Sequence, residues 1–151
     1  RHPEESSPIH PTKWEMQEGP RLYFDPRKAA RVGRTMAIND VVFLYESAKN
    51  PRDPSWTGAC AIGAAMVVTS APYLAPDVHE NSKTGRAEDW KVDGKWSLLL
   101  RDWRAGIGIR EAYRILGRDP RWRPLTIQRI EDGKGRALLN ELTERTRGTA
   151  R

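Results

Sequence analysis

Two apolar segments that follow each other closely along the chain place the strongest limit on its fold. Residues 41–45 read Val-Val-Phe-Leu-Tyr, and five consecutive apolar residues of this kind predict a strand buried on both faces. Residues 58–69 are rich in Ala, Ile, Met and Val, and their β-branched second half predicts a strand, although the alanines would also permit a helix. Gly63 predicts a bulge or a close backbone approach. Because no helix separates the two segments, they exclude a doubly wound parallel sheet.

Shorter strands and three helices complete the predicted elements. Further strands are expected at residues 21–25, 95–102 and 125–130, the second with Trp96, Leu98 and Leu100 on one face. Helices are expected at residues 26–34 after an Asp25 cap, at residues 109–116 before Gly117, and from Asp132 onward with a stripe of Leu138, Leu139 and Leu142. The predicted fold is therefore α+β, a small half-open β-barrel of five or more strands flanked by helices.

The 151 residues correspond in length to one domain. Residues 1–20 contain four prolines and little periodicity, which predicts an extended N-terminal arm before a single domain at residues 21–151. Residues 71–94 are polar and punctuated by Pro and Gly, which predicts a long binding loop. Since the first residue is Arg, we expect the domain to come from a longer protein, in which an effector domain could accompany it.

Positive charge is concentrated in the last part of the chain. The formal net charge is +6, yet residues 1–94 hold twelve Lys and Arg against thirteen Asp and Glu. Residues 95–151 hold fourteen Lys and Arg against seven Asp and Glu, and most of these cations are arginine, whose planar fork suits phosphates and base edges. This distribution indicates a polyanionic partner. A solvated basic surface with no partner is the alternative.

Several classes of function are excluded by missing motifs. The mean hydropathy is -0.73 and no apolar run approaches the length of a membrane span, so we expect no membrane association. Residues 1–20 lack the apolar stretch of a signal peptide, so we expect a cytoplasmic or nuclear protein that is not secreted. Gly106-Ile107-Gly108 and Gly133-Lys134-Gly135 lack the spacing of nucleotide-binding loops, so we expect no cofactor.

Few residues of the chain are candidates for a metal site or a catalytic nucleophile. Cys60 is the one cysteine, and the three histidines have no paired spacing, so we expect a buried thiol and no metal site. No Ser, His and Asp arrangement is apparent either. Glu46 follows a buried strand, where a carboxylate could be catalytic, but a solvated or ion-paired side chain is the more common outcome.

Tryptophans accompany the basic residues. The chain has six, and Trp96, Trp103 and Trp122 interleave with the arginine-rich region. Indole rings that stack on bases, next to arginines that contact phosphates, are typical of proteins that hold single-stranded or flipped bases. The structural alternative places Trp96 in the core and packs Trp103 and Trp122 between helices.

Four of the predicted segments, taken in their order along the chain, are similar to motifs of one known protein family. Asp40-Val41-Val42-Phe43-Leu44-Tyr45-Glu46-Ser47 is similar to a family strand that reads Gly-Asp-x-x-Phe-Phe-Tyr-His-Ser, and residues 58–68 resemble the small-residue strand that follows it. Lys95-Trp96-Ser97 resembles the family's Lys-Trp after a long polar loop, and residues 125–130 are similar to its Leu-Ser-Ile-Gln-Pro. In this order the segments resemble the EVE domain, although the family's N-terminal Ser-Glu-Pro motif is absent here and Glu46 stands where the family has His.

This resemblance implies a PUA-like barrel without catalytic residues, whose pocket accepts a flipped, modified base, typically a modified cytosine in DNA. The positions that correspond to the family's pocket, with Trp96 added from the aromatic pattern, are Phe24, Asp25, Tyr45, Glu46, Ser47, Trp96, Thr126 and Gln128. Glu46 and Gln128 are expected to read the base edge. Phosphate contacts are expected from Arg27, Arg31, Arg101, Arg121 and Arg123.

Two other functions stay open on the sequence. An RNA-binding accessory domain would use the same PUA-like fold on another polymer. A small hydrolase of the related ASCH type would use a Lys and a Glu on a modified nucleoside, and Lys95 with Glu46 is the pair available here.

Overall fold

The computed structural model describes residues 19–24, 33–47, 55, 57–75, 89–119 and 129–149. Its strands are β1 Arg21–Phe24, β2 Val41–Glu46, β3 Ala61–Val68, β4 Tyr73–Ala75, β5 Asp89–Leu99 and the two-residue β6 Ile107–Gly108. Its helices are α1 Ile109–Leu116 and α2 Asp132–Thr149, and a 3-10 turn at Trp103–Ala105 precedes β6. The α+β class is confirmed, and the sheet that the described strands form is open.

The long strand β5 organises the sheet. Its first half pairs with β1 on one edge and with β4 on the other, while its second half pairs with β3, always antiparallel. β3 in turn pairs with β2, and its first residues pair with β6. Between β3 and β4, the Thr69 amide donates to the Asp93 carbonyl at 2.8 Å and the Ser70 hydroxyl accepts from the Asp93 amide at 2.9 Å. β3 and β4 therefore form one interrupted edge along β5.

The expectation of a loop over residues 71–94 is wrong at both ends. β4 and the first six residues of β5 lie inside that range. The apolar Trp90 and Val92 alternate with Lys91 and Asp93, and Val92 is fully buried. The alternation of apolar and charged residues is typical of a strand, but Lys91 is buried as well as Val92, and the density of charge hides the strand from a hydropathy count. Residues 76–88 lie outside the described part of the chain.

β2 is not the doubly buried strand that its five apolar residues predict. It ends the strand order among the described residues, and most of its side chains are half-buried, with Val41 42% exposed. Its apolar residues face a neighbouring strand on one edge only, so Val-Val-Phe-Leu-Tyr here reflects β-propensity more than burial.

Both predictions for Gly63 are confirmed. The pairing of β2 with β3 shifts register here, since Leu44 faces Ala64 while Tyr45 faces Ile62, which leaves Gly63 as the extra residue. A Cβ built on Gly63 would lie 2.1 Å from Cγ of Trp103. The indole of Trp103, 1% exposed, therefore packs directly on the strand backbone.

The two helices cover the core as the sequence predicts. α1 buries Ala112, Tyr113 and Leu116 and ends at Gly117, while α2 buries Leu138 and Leu142 with Leu139 half-buried beside them. The helix expected at residues 26–34, apart from Gly33 and Arg34, and the strand expected at residues 125–130, apart from its last two residues, lie outside the described residues, as does most of the arm at residues 1–20.

Candidate nucleic-acid interface

Helix α1 presents arginine on the side opposite its buried face. Arg110 and Arg114 are one helical turn apart, and both are exposed. Side chains four residues apart lie on the same side of a helix, so these two form a stripe. Arg101 and Arg104 in the turn before the helix, and Arg118 after it, are also exposed. We call these five residues, Arg101, Arg104, Arg110, Arg114 and Arg118, the α1 arginine surface.

The carboxylates of this segment do not pair with the stripe. Asp102 accepts a hydrogen bond from the Arg104 amide at 3.0 Å, and Glu111 binds the guanidinium of Arg145 on α2. Among the residues that the structure describes, no carboxylate forms an ion pair with Arg110 or Arg114. Both guanidinium groups are therefore available to an anion from solvent.

Arg145 fixes the position of α1. Its guanidinium binds Glu141 on its own helix, Glu111 on α1 and the carbonyl of Gly106 just before β6. The hydrogen bond to Glu141, together with the charge of Glu111, raises the pKa of Arg145 above its usual value. This three-way contact holds α2 and α1 together and so holds the arginine stripe in place.

The end of β2 carries three of the predicted pocket residues, which are consecutive in the chain. Glu46 is 3% exposed, and its Oε1 accepts from the amide of Ala59 at 2.7 Å. The Tyr45 hydroxyl lies 3.2 Å from Sγ of Cys60, and Ser47 is exposed at the strand end. Glu46 is therefore not the solvated side chain that is common at a strand end. It orients the segment that leads into β3.

Trp96 and Phe24 lie at other register positions. Glu46 pairs with Ala61 and Trp96 with Met66, so their backbones are separated by five residues of β3, about 16 Å. Phe24 pairs with Trp90, beyond the end of β3. The indole of Trp96 packs against both core clusters of the sheet, and its Nε1 is buried with no acceptor among the described residues. The structure thus brings neither backbone next to Glu46.

The pair that the hydrolase alternative requires is also far apart. Lys95 is exposed and pairs with Val67, six residues along β3 from the partner of Glu46, or about 20 Å. Of the other predicted residues, Arg101 is exposed in the α1 arginine surface. Outside the described residues lie Asp25, Thr126, Gln128, Arg27, Arg31, Arg121 and Arg123.

Two arrangements escaped the sequence analysis. The prediction for this helix used only its apolar stripe and did not include Arg110 and Arg114. Their four-residue spacing could have identified them as a pair on one side of the helix. Lys91 is buried, with its Nζ 5.0 Å from the ring centre of Tyr73, whose hydroxyl donates to Asp93 at 2.8 Å. The alternation of residues 89–93 was the signal for this second group.

Neither a metal centre nor a membrane span is found in the described part of the chain. No three of its His, Cys, Asp or Glu side chains are grouped so that they could hold a metal ion. None of its helices combines the length and the apolar character that a membrane crossing requires. Comparison with protein-family models, with curated proteins and with solved structures finds no match to this chain.

Proposed function

We propose that this chain binds nucleic acid and reads a modified base, as a PUA-like half-open barrel of the EVE kind that catalyses no reaction. The observation that carries the binding is the exposed stripe of Arg110 and Arg114, which no described carboxylate neutralises. The preferred partner is DNA that carries a modified cytosine, and no cofactor is required.

The chemistry of arginine favours phosphate at this surface. A guanidinium presents several N–H donors in a fixed plane and binds a phosphate through two of them at once. Contacts to successive backbone phosphates fix the register of a protein on a duplex without reading its sequence. A helix that displays arginine on one side and packs its other side on a sheet suits this role. Its backbone is already ordered by the packing, so binding need order only the arginine side chains.

The end of β2 is the proposed site of base reading. Glu46 accepts from the amide of Ala59, and by the resemblance to the EVE domain its carboxylate would also accept from a base amine such as N4 of cytosine. By the same resemblance, Tyr45 would supply an aromatic ring for stacking. Gln128, by the resemblance to the EVE domain, would add an amide that both donates and accepts.

Binding titrations of the wild-type chain test this function. Fluorescence anisotropy with a labelled duplex, carrying either plain or modified cytosine, and with a structured RNA hairpin separates the partners. We expect the modified duplex to bind most tightly, with a preference of about 1 to 3 kcal/mol over the plain duplex. Tighter binding to the hairpin would indicate the RNA-binding alternative. No binding to any of the three at low salt would contradict the proposal.

A further inference from the structure

An arginine that is not part of the α1 arginine surface lies over an aromatic ring at the other end of the sheet. The guanidinium carbon of Arg34 is 4.6 Å from the ring centre of Trp90, the second residue of β5. Arg34 is exposed and Trp90 is half-buried. An arginine held against an indole loses little further freedom when its outward N–H donors bind an anion.

Arg129 adds a second guanidinium to the same place. Its NH2 group donates to the hydroxyl of Thr35, the residue next to Arg34, at 2.9 Å. Arg129 reaches this position from the segment that precedes α2, and it is exposed. Arg129 is distant from Arg34 in sequence, yet its guanidinium contacts the residue next to Arg34.

The segment below them is anchored to the sheet. The amide of Asn39 donates to the carbonyl of Val68 and the amide of Val68 to the carbonyl of Asp40, both at 2.8 Å. Met36 packs on the same small cluster of Met66, Val68 and Val92 that Trp90 contacts. The site is thus held in advance by the core of the sheet, so that ligand binding need not order the backbone.

Nearby acidic groups do not neutralise this pair. Asp40 accepts a hydrogen bond from the amide of Ala37 at 2.8 Å, and Glu131 lies 3.9 Å from Lys134. Neither Arg34 nor Arg129 forms an ion pair with a carboxylate of the described residues. An unneutralised guanidinium over an aromatic ring, with a second one bound to the adjacent residue, suits a phosphodiester, whose charge and oxygens one arginine alone satisfies only in part.

We propose that Arg34 and Arg129 form a second phosphate-binding site, which takes a backbone phosphate of the bound nucleic acid. This inference rests on the proposed function and extends it. The site is separate from the α1 arginine surface, because α1 starts beside Ala61 at the beginning of β3 whereas Trp90 lies past the end of β3. The two surfaces therefore lie toward opposite ends of the sheet, and a nucleic acid that contacts both must run along it.

The test compares the Arg34→Gln/Arg129→Gln variant with wild type by anisotropy on one labelled duplex between about 50 and about 200 mM salt. Loss of two phosphate contacts should reduce the log-log salt slope by about 1.8 and weaken binding at low salt by on the order of tenfold. Arg34→Lys should keep most of the slope but bind more weakly, because an ammonium group does not replace the stacked fork. Arg136→Gln, an exposed arginine on α2, is the matched control and should bind like wild type.

Two outcomes would overturn the inference, and a third would support it. Wild-type affinity and slope in the Arg34→Gln/Arg129→Gln variant, with binding by wild type intact, would remove the second site and leave the proposed function standing. Failure of wild type to bind any duplex would remove the function itself. Replacement of chloride by inorganic phosphate at fixed ionic strength tests the other source of this chemistry. If phosphate weakens duplex binding by wild type and not by the variant, phosphate and duplex compete for this site, which supports the inference.

Discussion

Trp103 lies on the backbone of Gly63, so close that no side chain fits between them. A Cβ on residue 63 would be 2.1 Å from the indole, and Trp103 is among the largest fully buried side chains. Gly63→Ala should therefore destabilise the fold by about 1 to 3 kcal/mol, because the ring or the strand must move. Urea unfolding measures this.

Gly133→Ala is the matched control for that substitution. A Cβ there meets no atom within 4 Å, and the residue lies in the first turn of α2. The alanine should change stability by less than about 1 kcal/mol, in the stabilising direction. Equal effects of the two substitutions would show that the contact between Gly63 and Trp103 does not limit packing.

Arg145 is expected to stabilise the junction of the two helices. Arg145→Met keeps the aliphatic stem but leaves Glu111, Glu141 and the Gly106 carbonyl without this donor. With the side chain about a third exposed, screening limits the loss to about 1 to 2 kcal/mol. Since the pKa of Arg145 is raised, this contribution is present at neutral pH and is lost only as pH rises through that pKa.

Arg147→Met is the control for Arg145→Met. Arg147 is exposed and binds Glu144 three residues away on the same helix. Its loss should cost at most about 0.5 kcal/mol by thermal melting. An Arg145→Met variant that melts like Arg147→Met would contradict the three-way contact.

Two substitutions of Trp96 distinguish a role in core packing from a role in ligand contact. Its ring joins the two core clusters, so Trp96→Ala should cost about 3 to 5 kcal/mol. Trp96→Phe retains a ring and removes the buried Nε1 donor that has no acceptor among the described residues, so it should cost less than about 1.5 kcal/mol. If Trp96→Phe melts normally yet binds a modified duplex much more weakly, the indole contacts the base and is more than a core residue.

Glu46→Gln tests the base-reading end of β2. Glutamine keeps an oxygen for the Ala59 amide, so the fold should survive. The change removes a negative charge and adds a donor, so it should alter which base is preferred more than it alters total affinity. Competition between modified and plain duplex at one salt concentration measures the preference. An unchanged preference with normal melting would place base reading elsewhere.

The sequence predicts those parts of the fold that local patterns determine. The apolar spacing of both helices predicts their buried faces, the glycine within an apolar segment predicts a bulge or a close approach, and the structure agrees with these predictions. The first half of β5 was missed because charged residues occupy alternate positions. Its pairing with β1 and β4, which the local sequence does not show, makes this segment a strand. The burial of Glu46 depends on the amide of Ala59 thirteen residues away, a contact that no local pattern encodes.

The candidate sites show the same division. The excess of basic residues in the last third of the chain was visible in the sequence. Which arginines share a surface, with one another or with a residue from elsewhere in the chain, was not. Arg34, Trp90 and Arg129 come from three separate segments, and they meet only because the chain before β2 returns over the end of β5.

The salt dependence of duplex binding by the Arg110→Gln/Arg114→Gln variant tests the central proposal most directly. Anisotropy titrations of this variant, wild type and Arg147→Gln are compared between about 50 and about 200 mM salt. We expect the log-log slope to fall by about 1.8 in the Arg110→Gln/Arg114→Gln variant, equally for plain and modified duplex, and to stay at the wild-type value in Arg147→Gln. A wild-type affinity that hardly changes with salt, or a slope unaffected by the loss of both α1 arginines, would contradict the account.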